Sequence, residues 1–201
     1  MILGERGSWR LRAAAMVMGL LAFTCPPAAR AGDETDGAAM AWAALRAGGA
    51  VALLRHASAP GTGDPPGFRL DDCATQRNLS AAGRAEAAAI GAAFRARGVH
   101  ADAVYSSQWC RCLETARLLD LGPVTPFAPL NSFFENQGEE PERTAGVRAL
   151  LAEPRTGTIV LVTHQVNITA LTGILPRSGE TVVVRPRESG ALDVTGRIPP
   201  P

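Results

Sequence analysis

Lysine is absent from this chain of 201 residues, because all 20 of its basic residues are arginines. This absence excludes the mechanisms that need a lysine side chain: the phosphate-binding P-loop, Schiff-base catalysis and the Ser–Lys dyad. The formal net charge is only +1, and no run of basic residues occurs. A nucleic-acid-binding protein has to neutralise several phosphates, so the sequence does not predict one.

Glycine and proline, 21 and 15 residues respectively, are too few for a low-complexity or disordered chain, and no segment repeats at a fixed period. Solenoids and linker proteins are therefore excluded. Hydrophobic residues make up 46% of the chain, which is enough to bury the core of one domain of ordinary size. We expect one globular domain.

The first 31 residues have the pattern of a secretory signal peptide. Three arginines precede an apolar run at residues 13–24, and the small-residue triplet at 29–31 follows it. A basic segment, a short apolar segment and an A-x-A cleavage site are the parts of such a signal. We therefore predict that residues 1–31 are removed and that the mature domain, residues 32–201, is periplasmic or secreted.

Two alternatives for this N-terminal segment would keep the chain on a membrane. The apolar run could remain as an anchor, but it has only about a dozen residues, whereas a spanning helix needs about 20. Cys25 could be a lipoprotein acylation site, but the bulky Phe23 stands where a small or aliphatic residue is usual. We favour the cleaved signal and expect no stable membrane anchor after cleavage.

Export changes how the cysteines are interpreted. The mature part keeps Cys73, Cys110 and Cys112, and disulfides persist in oxidising compartments. Cys110 and Cys112 would point to different faces of a helix, so we predict a disulfide from Cys73 to one of them rather than between them. The alternatives are buried thiols or a zinc site, for which the spacing is wrong and no histidine is close in sequence.

Strand-like and helix-like segments alternate along the mature chain. Strands are predicted at residues 50–54, 102–106, 158–162, 181–185 and 191–195. Helices are predicted at residues 38–47, from a cap at Ser80 to about Arg97, from Trp109 to near Gly122, at 142–152 and at 166–172, with a loop at 124–141. The alternation predicts an α/β fold with a largely parallel sheet covered on both faces.

Basic side chains follow three of the predicted strands at their carboxyl ends. Arg55 and His56 follow the first strand, Arg111 lies in the first turn of the helix after the second, and His164 follows the third. Ligand sites of open α/β sheets form at these ends, so we expect the four residues to meet in one crevice with few acids. The alternative is that each has its own local partner.

Such a crevice suits a phosphate group. Guanidinium groups offer forked donors that match phosphate oxygens. One neutral imidazole can attack phosphorus while the other, protonated, stabilises the charge of the transition state.

Three segments resemble motifs of the histidine phosphatase superfamily, the phosphoglycerate mutase-like group (branch 1). They are LRHA at 54–57, SSQWCRCLETA at 106–116 and VLVTHQVNITAL at 160–171. The resemblance extends over residues 50–175 and implies a three-layer α/β/α sandwich whose chemistry needs no metal or other cofactor. It implies that His56 is the nucleophile. Arg55, Arg111 and His164 would complete the phosphate pocket.

The sequence departs from this family at the general acid. In mutase-like members a glutamate follows directly after a Leu-Asn pair, whereas here residues 130–131 are followed by Ser-Phe-Phe and then Glu135. Glu135 is our candidate acid, with Glu139, Glu140 or no acid at all as alternatives. An alkoxide leaving group needs a proton, whereas the nitrogen of a phosphohistidine leaves more easily.

The segment 69–80 occupies the place where family members carry substrate loops. Arg69 and Arg77 are candidates for binding a second anionic group of the substrate. The alternative is that at least one of them is paired with Asp71 or Asp72.

The leading interpretation is an exported phosphatase of phosphomonoesters. Its expected partner is a small-molecule or glycan phosphomonoester. Short exported members of the family, such as the Ais-like lipopolysaccharide core heptose phosphatases, make a sugar phosphate of the envelope the expected substrate by resemblance. The alternatives are a phosphohistidine phosphatase and a phosphate- or phosphoglycan-binding module without turnover. A mutase is disfavoured by export and by the altered acid motif. The sequence does not determine the oligomeric state.

Overall fold

The structure is a computed structural model that describes Met1 and residues 29–201. The predicted signal peptide, residues 1–31, and the alternative site at Cys25 therefore lie almost entirely outside the described residues, and the cleavage boundary stays a prediction. In the part of the chain that is described, none of the helices has both the length and the apolar character needed to cross a membrane.

Strands and helices alternate along the described chain. The strands are β1 (Val51–Arg55), β2 (Ala101–Ser106), β3 (Val124–Pro126), β4 (Thr158–Thr163), β5 (Thr181–Pro186) and β6 (Leu192–Ile198). The helices are α1 (Ala29–Ala47), α2 (Ala81–Ala96), α3 (Cys110–Leu119), α4 (Glu140–Ala152) and α5 (Gln165–Thr172).

The strands form a single sheet in the order β3-β2-β4-β1-β5-β6. Strands β3, β2, β4 and β1 are parallel to one another, β5 is antiparallel to β1, and β6 is antiparallel to β5. All six residues of β4 are buried, as are the first four of β1. Central strands buried on both faces are typical of a parallel sheet covered by helices. The predicted α/β fold is confirmed.

Alternate residues of the central strands enter two separate cores. Ala52 and Leu54 of β1 pack with helices α1, α2 and α3 on one face of the sheet. Val51 and Leu53 pack with α4 and α5 on the other face. Because side chains of a strand alternate between faces, both layers of helices are anchored on the same short strand. This is the predicted three-layer α/β/α sandwich.

Two regions differ most from the prediction. Helix α1 begins at Ala29 rather than at residue 38, because polar residues and two glycines in its first half hide the apolar periodicity. The predicted loop at 124–141 contains the three-residue edge strand β3 and short 3-10 turns at Ala128–Leu130 and Gln137–Glu139. Elements this short carry no periodic signal.

The order of the sheet positions the candidate site. Strand β4 lies between β2 and β1, so the carboxyl ends of these three parallel strands are neighbours. Backbone hydrogen bonds continue past the strands, from His56 N to the Thr163 carbonyl at 2.9 Å and from Ser107 N to the Val162 carbonyl at 2.9 Å. The residues that directly follow the strands thus continue the hydrogen bonding of the sheet.

Candidate active site

The four residues predicted from the strand ends, Arg55, His56, Arg111 and His164, line one cavity of about 420 Å³. The ring centroids of His56 and His164 lie 5.5 Å apart. Arg111 Nη2 lies 3.5 Å from His164 Nδ1. His56, Arg111 and His164 are all buried. The structure therefore brings these side chains together, as their positions after neighbouring strands predicted.

His56 is held as a neutral imidazole with one free nitrogen. Its Nδ1 lies 2.8 Å from the Ala57 carbonyl oxygen. A carbonyl only accepts, so Nδ1 carries the proton and Nε2 keeps its lone pair. Burial lowers the pKa of this imidazole to about 3, the carbonyl bond opposes the shift, and the nearby charges of Arg111, Arg55 and Arg77 add to it. Nε2 is thus a nucleophile that stays unprotonated at ordinary pH.

His164 is also neutral in the free site. Ser107 Oγ donates to Asn131 Oδ1 at 3.2 Å and so accepts from His164 Nε2 at 2.9 Å. Burial, then the charge of Arg111, holds the pKa of His164 well below its usual value. This differs from the expected protonated imidazole. A bound phosphate dianion would favour the protonated form, because an opposite charge nearby raises the pKa of a histidine.

Asp64 is a site residue that the sequence analysis missed. Its Oδ1 accepts from Arg111 Nη1 at 2.8 Å and from Arg77 N at 3.0 Å, and its Oδ2 accepts from Trp109 Nε1 at 3.0 Å. The side chain is only 4% exposed. Burial alone would raise the pKa of Asp64, but the hydrogen bonds, that of Arg111 first, hold it below its usual value. Asp64 is therefore an ionised anchor for Arg111 rather than a proton donor.

Asp64 changes the charge of the cavity. The expected pocket had few acids, whereas this carboxylate is paired with Arg111 and lies near Arg77. Four arginines and three carboxyl groups line the cavity as a whole, and Arg55 lines it without an acidic side-chain partner in the described residues. The buried Nε atoms of Arg55 and Arg111 have no hydrogen-bond partner among the described residues. Buried donors need acceptors, and phosphate oxygens would supply them.

Arg77 and Arg69 have different surroundings. Arg77 lines the cavity, where its Nε donates to the Gly63 carbonyl at 2.7 Å and its Nη1 donates to the Ala59 carbonyl. Arg69 is exposed, forms an ion pair with Asp72 and does not line the cavity. The pairing considered as an alternative is thus confirmed for Arg69. The structure does not bring Arg69 into the cavity, and its role in binding a second anion stays a prediction.

Glu135 and Glu139 line the cavity, whereas Glu140 does not. Glu135 is exposed, and its Oε1 accepts from Asp64 N at 3.1 Å. Glu139 forms an ion pair with Arg143 at 2.8 Å. The hydrogen bond from Arg143 lowers the pKa of Glu139. Of the three carboxyl groups considered from the sequence, Glu135 is therefore the one that lines the cavity and has no ion-pair partner in the part of the chain that the structure describes.

The predicted disulfide joins Cys73 to Cys110, whose Cα atoms are 5.6 Å apart, and Cys112 is a buried free thiol. Burial raises the pKa of Cys112 to about 12. The disulfide excludes the zinc alternative for its two cysteines, and no cluster of metal-ligating side chains occurs among residues that the structure describes. Cys110 N also donates to Gln76 Oε1 at 2.9 Å. The loop after β1 is thus attached to the start of α3, directly before Arg111.

The sequence profile of the histidine phosphatase superfamily (branch 1) matches residues 51–137. The match includes Arg55, His56 and Arg111, and the fold adds His164 from beyond it. Over these 87 residues the chain is similar to the histidine phosphatase superfamily, branch 1. A comparison with curated protein sequences gives no match.

Several solved structures share the fold of this chain. The protein histidine phosphatase SixA in complex with tungstate has a TM-score of 0.57 at 17% identity, over 75% of this chain and 96% of that one. A putative phosphohistidine phosphatase SixA from Agrobacterium tumefaciens has a TM-score of 0.53 at 23% sequence identity, and the alignment covers 75% of this chain and 97% of that one. The mycobacterial glucosyl-3-phosphoglycerate phosphatase in complex with VO3 has a TM-score of 0.52 at 20% sequence identity, and the alignment covers 72% of this chain and 97% of that one. At these identities the likeness concerns the fold.

Asp64→Asn should lower kcat for p-nitrophenyl phosphate and the melting temperature, because Arg111 loses its charged anchor in a buried site. The same substitution should tighten inhibition by inorganic phosphate about 10-fold, because the nearest competing negative charge is gone. Steady-state kinetics with phosphate as inhibitor and thermal unfolding measure these effects. Asp71→Asn, an exposed change outside the cavity, is the control. Unchanged phosphate inhibition in Asp64→Asn would contradict the anchoring role.

Cys73→Ser with Cys110→Ser should reduce the free energy of unfolding by about 3 kcal/mol, the order expected for a bridge that closes a loop of this size. It should also reduce activity, because the cavity loop loses its attachment beside Arg111. Urea denaturation and turnover of p-nitrophenyl phosphate are the measurements. Reducing agent should lower wild-type activity to the level of the double variant and leave that variant unchanged. Full activity of the reduced wild type would argue against the coupling.

Proposed function

We propose that this protein is an exported phosphatase that hydrolyses phosphomonoesters without a metal, through a phosphohistidine at His56. The observation that carries the proposal is the neutral His56, whose Nε2 is free, in a cavity with buried guanidinium donors that lack partners among the described residues. Similarity to the histidine phosphatase superfamily supports it, as do relatives named as phosphatases.

In the first step, the substrate phosphate binds with its oxygens against Arg55 and Arg111. His56 Nε2 donates its lone pair to phosphorus, and the bond between phosphorus and the ester oxygen breaks. The leaving oxygen takes the electron pair of that bond and a proton from Glu135. His164, protonated when the dianion binds, donates to the phosphoryl oxygens as charge moves onto them.

In the second step, water replaces the departed leaving group. Glu135, now a carboxylate, accepts a proton from this water as its oxygen attacks phosphorus. The bond between phosphorus and Nε2 breaks, and the electron pair returns to His56. Inorganic phosphate then leaves, and the site is restored.

Export and an envelope substrate are the finer parts of the proposal. The signal-peptide pattern of residues 1–31 supports export, and a disulfide suits an oxidising compartment. A sugar phosphate of the envelope is the substrate class that suits such a location.

A phosphohistidine phosphatase is a second candidate. Glu135 is exposed and its Oε1 already accepts a hydrogen bond from a backbone N–H, so one of its two oxygens is engaged by the protein. A phosphoramidate substrate needs a proton donor less than an alkyl ester does. A binding module without turnover is the third candidate, and the next experiment separates it from both enzymes.

Phosphate release from p-nitrophenyl phosphate should persist in EDTA and fall at least about 10³-fold in His56→Ala, because the nucleophile is lost. His100→Ala, at an exposed position outside the cavity, is the matched control and should keep wild-type activity. A folded wild type without turnover would favour the binding module. Turnover that survives in His56→Ala would contradict the phosphohistidine mechanism.

Glu135→Gln should slow an alkyl phosphate about 10²-fold, while p-nitrophenyl phosphate slows by less than about 3-fold, because only the alkoxide needs a proton to leave. The measurement is kcat for each ester, with glycerol phosphate as the alkyl substrate. Glu188→Gln, an exposed glutamate outside the cavity, is the control. Equal effects on the two esters would remove Glu135 from the role of acid.

A further inference from the structure

The mouth of the cavity has an apolar surface, formed by Phe68, Leu70 and Phe134, which we call the lip. Leu70 is 38% exposed and Phe134 is 50% exposed, and both line the cavity. Phe68 packs on Trp109 with ring centroids 5.6 Å apart. Large apolar side chains left open to solvent beside a buried polar pocket are typical of a ligand-binding surface.

The cationic side chains near the lip already have partners. Arg77 donates to the carbonyls of Gly63 and Ala59. Arg143 is paired with Glu139 and donates to the Ala128 carbonyl at 3.1 Å. The charge of Arg143 is therefore balanced by Glu139, whereas Arg77 keeps its positive charge but has its Nε and Nη1 bonded to carbonyls.

Glu135 places a carboxyl group at the same mouth, and this group is negatively charged whenever it does not carry the proton that it gives to an alkoxide. It is exposed, lines the cavity, and receives a hydrogen bond from the backbone N–H of Asp64. It has no ion-pair partner among the described residues. A second phosphate or a carboxylate on the leaving group would approach this charge and find the nearby guanidinium groups occupied.

We propose that the mouth selects the leaving group: it accepts monophosphates whose leaving group is uncharged and presents a flat apolar face to the lip, and it rejects leaving groups with a second anionic group. This inference rests on the phosphatase function proposed above. The buried part of the cavity recognises one phosphate dianion, and the exposed part discriminates among the groups attached to it. Bisphosphates and phosphorylated carboxylic acids are therefore poor substrates.

The first test compares 4-carbamoylphenyl phosphate with 4-carboxyphenyl phosphate, which have nearly the same shape and differ by one negative charge. The full chain should show kcat/KM about 5- to 10-fold higher for the carbamoyl ester, the order expected for two like charges a few ångströms apart at an exposed site. In Glu135→Gln this ratio should fall to below about 2. Both esters have aryl leaving groups, so any loss of general acid catalysis affects them alike. Glu188→Gln should keep the wild-type ratio.

The second test concerns the apolar face. Phe134→Ser should raise KM for 4-carbamoylphenyl phosphate about 5-fold and leave inhibition by inorganic phosphate unchanged, because phosphate does not reach the lip. Leu175→Ser removes another exposed apolar side chain, which lies outside the cavity, and should change neither value.

Binding of phenylphosphonate and 4-carboxyphenylphosphonate separates failure of this proposal from failure of the phosphatase function, because neither compound is hydrolysed. Calorimetry should show tighter binding of phenylphosphonate by the wild type and a smaller difference in Glu135→Gln. If the protein shows this difference in binding but no turnover, the proposed phosphatase function is wrong and the proposed selectivity of the mouth still holds. Equal binding of the two phosphonates, or equal kcat/KM for the two esters, would overturn the selective mouth.

Discussion

The buried ion pair between Asp64 and Arg111 connects the two parts of the candidate site. Arg111 comes from the first turn of α3, whereas Asp64 comes from the loop after β1, and their atoms approach to 2.8 Å with both side chains nearly inaccessible to solvent. Trp109 and the backbone of Arg77 bind the same carboxylate. A buried charge without its partner is strongly destabilising. The loop, the helix start and the orientation of the guanidinium group are therefore fixed together, and the nearby disulfide strengthens the same attachment.

Charge and burial together set how the site responds to pH. Both cavity histidines have a pKa below the value of a free imidazole, because burial and neighbouring arginines disfavour their charged forms. The unfolded chain then binds more protons than the folded one as pH falls below about 6.5, so stability decreases toward acid. Asp64 has the same sign, since its lowered pKa contributes stability that is lost as its carboxylate is protonated. The folded state is thus most stable at pH values at which His56 is unprotonated and can act as a nucleophile.

The sequence predicted the residues at the strand ends well, because buried strands are recognisable as short apolar runs. The apolar runs before Arg55, Ser107 and His164 identify buried parallel strands, and the carboxyl ends of parallel neighbours meet at one edge of the sheet. Asp64 could not be found this way, because it lies in a Gly- and Pro-rich loop without periodicity, and its distance to Arg111 depends on how that loop folds. Arg69 and Arg77 are the same residue type in the same segment, and only their tertiary contacts separate the cavity residue from the surface ion pair.

The buried part of the cavity, which holds His56, His164 and Arg111, and the exposed mouth, which holds the lip and Glu135, differ in how accessible their side chains are to solvent. In the buried part of the cavity, His56, His164 and the ion pair of Arg111 with Asp64 are nearly inaccessible to solvent, so charge interactions with a bound phosphate are weakly screened there. At the mouth, charges are exposed and individually weak, so discrimination there depends on apolar contact with Phe134 and on repulsion by Glu135 rather than on ion pairing. Phosphate recognition is therefore insensitive to changes in the lip, whereas substrate choice depends on a few exposed side chains of loops that the core does not constrain. A family with this architecture can change its leaving group through the loops while the chemistry on the strand ends stays the same.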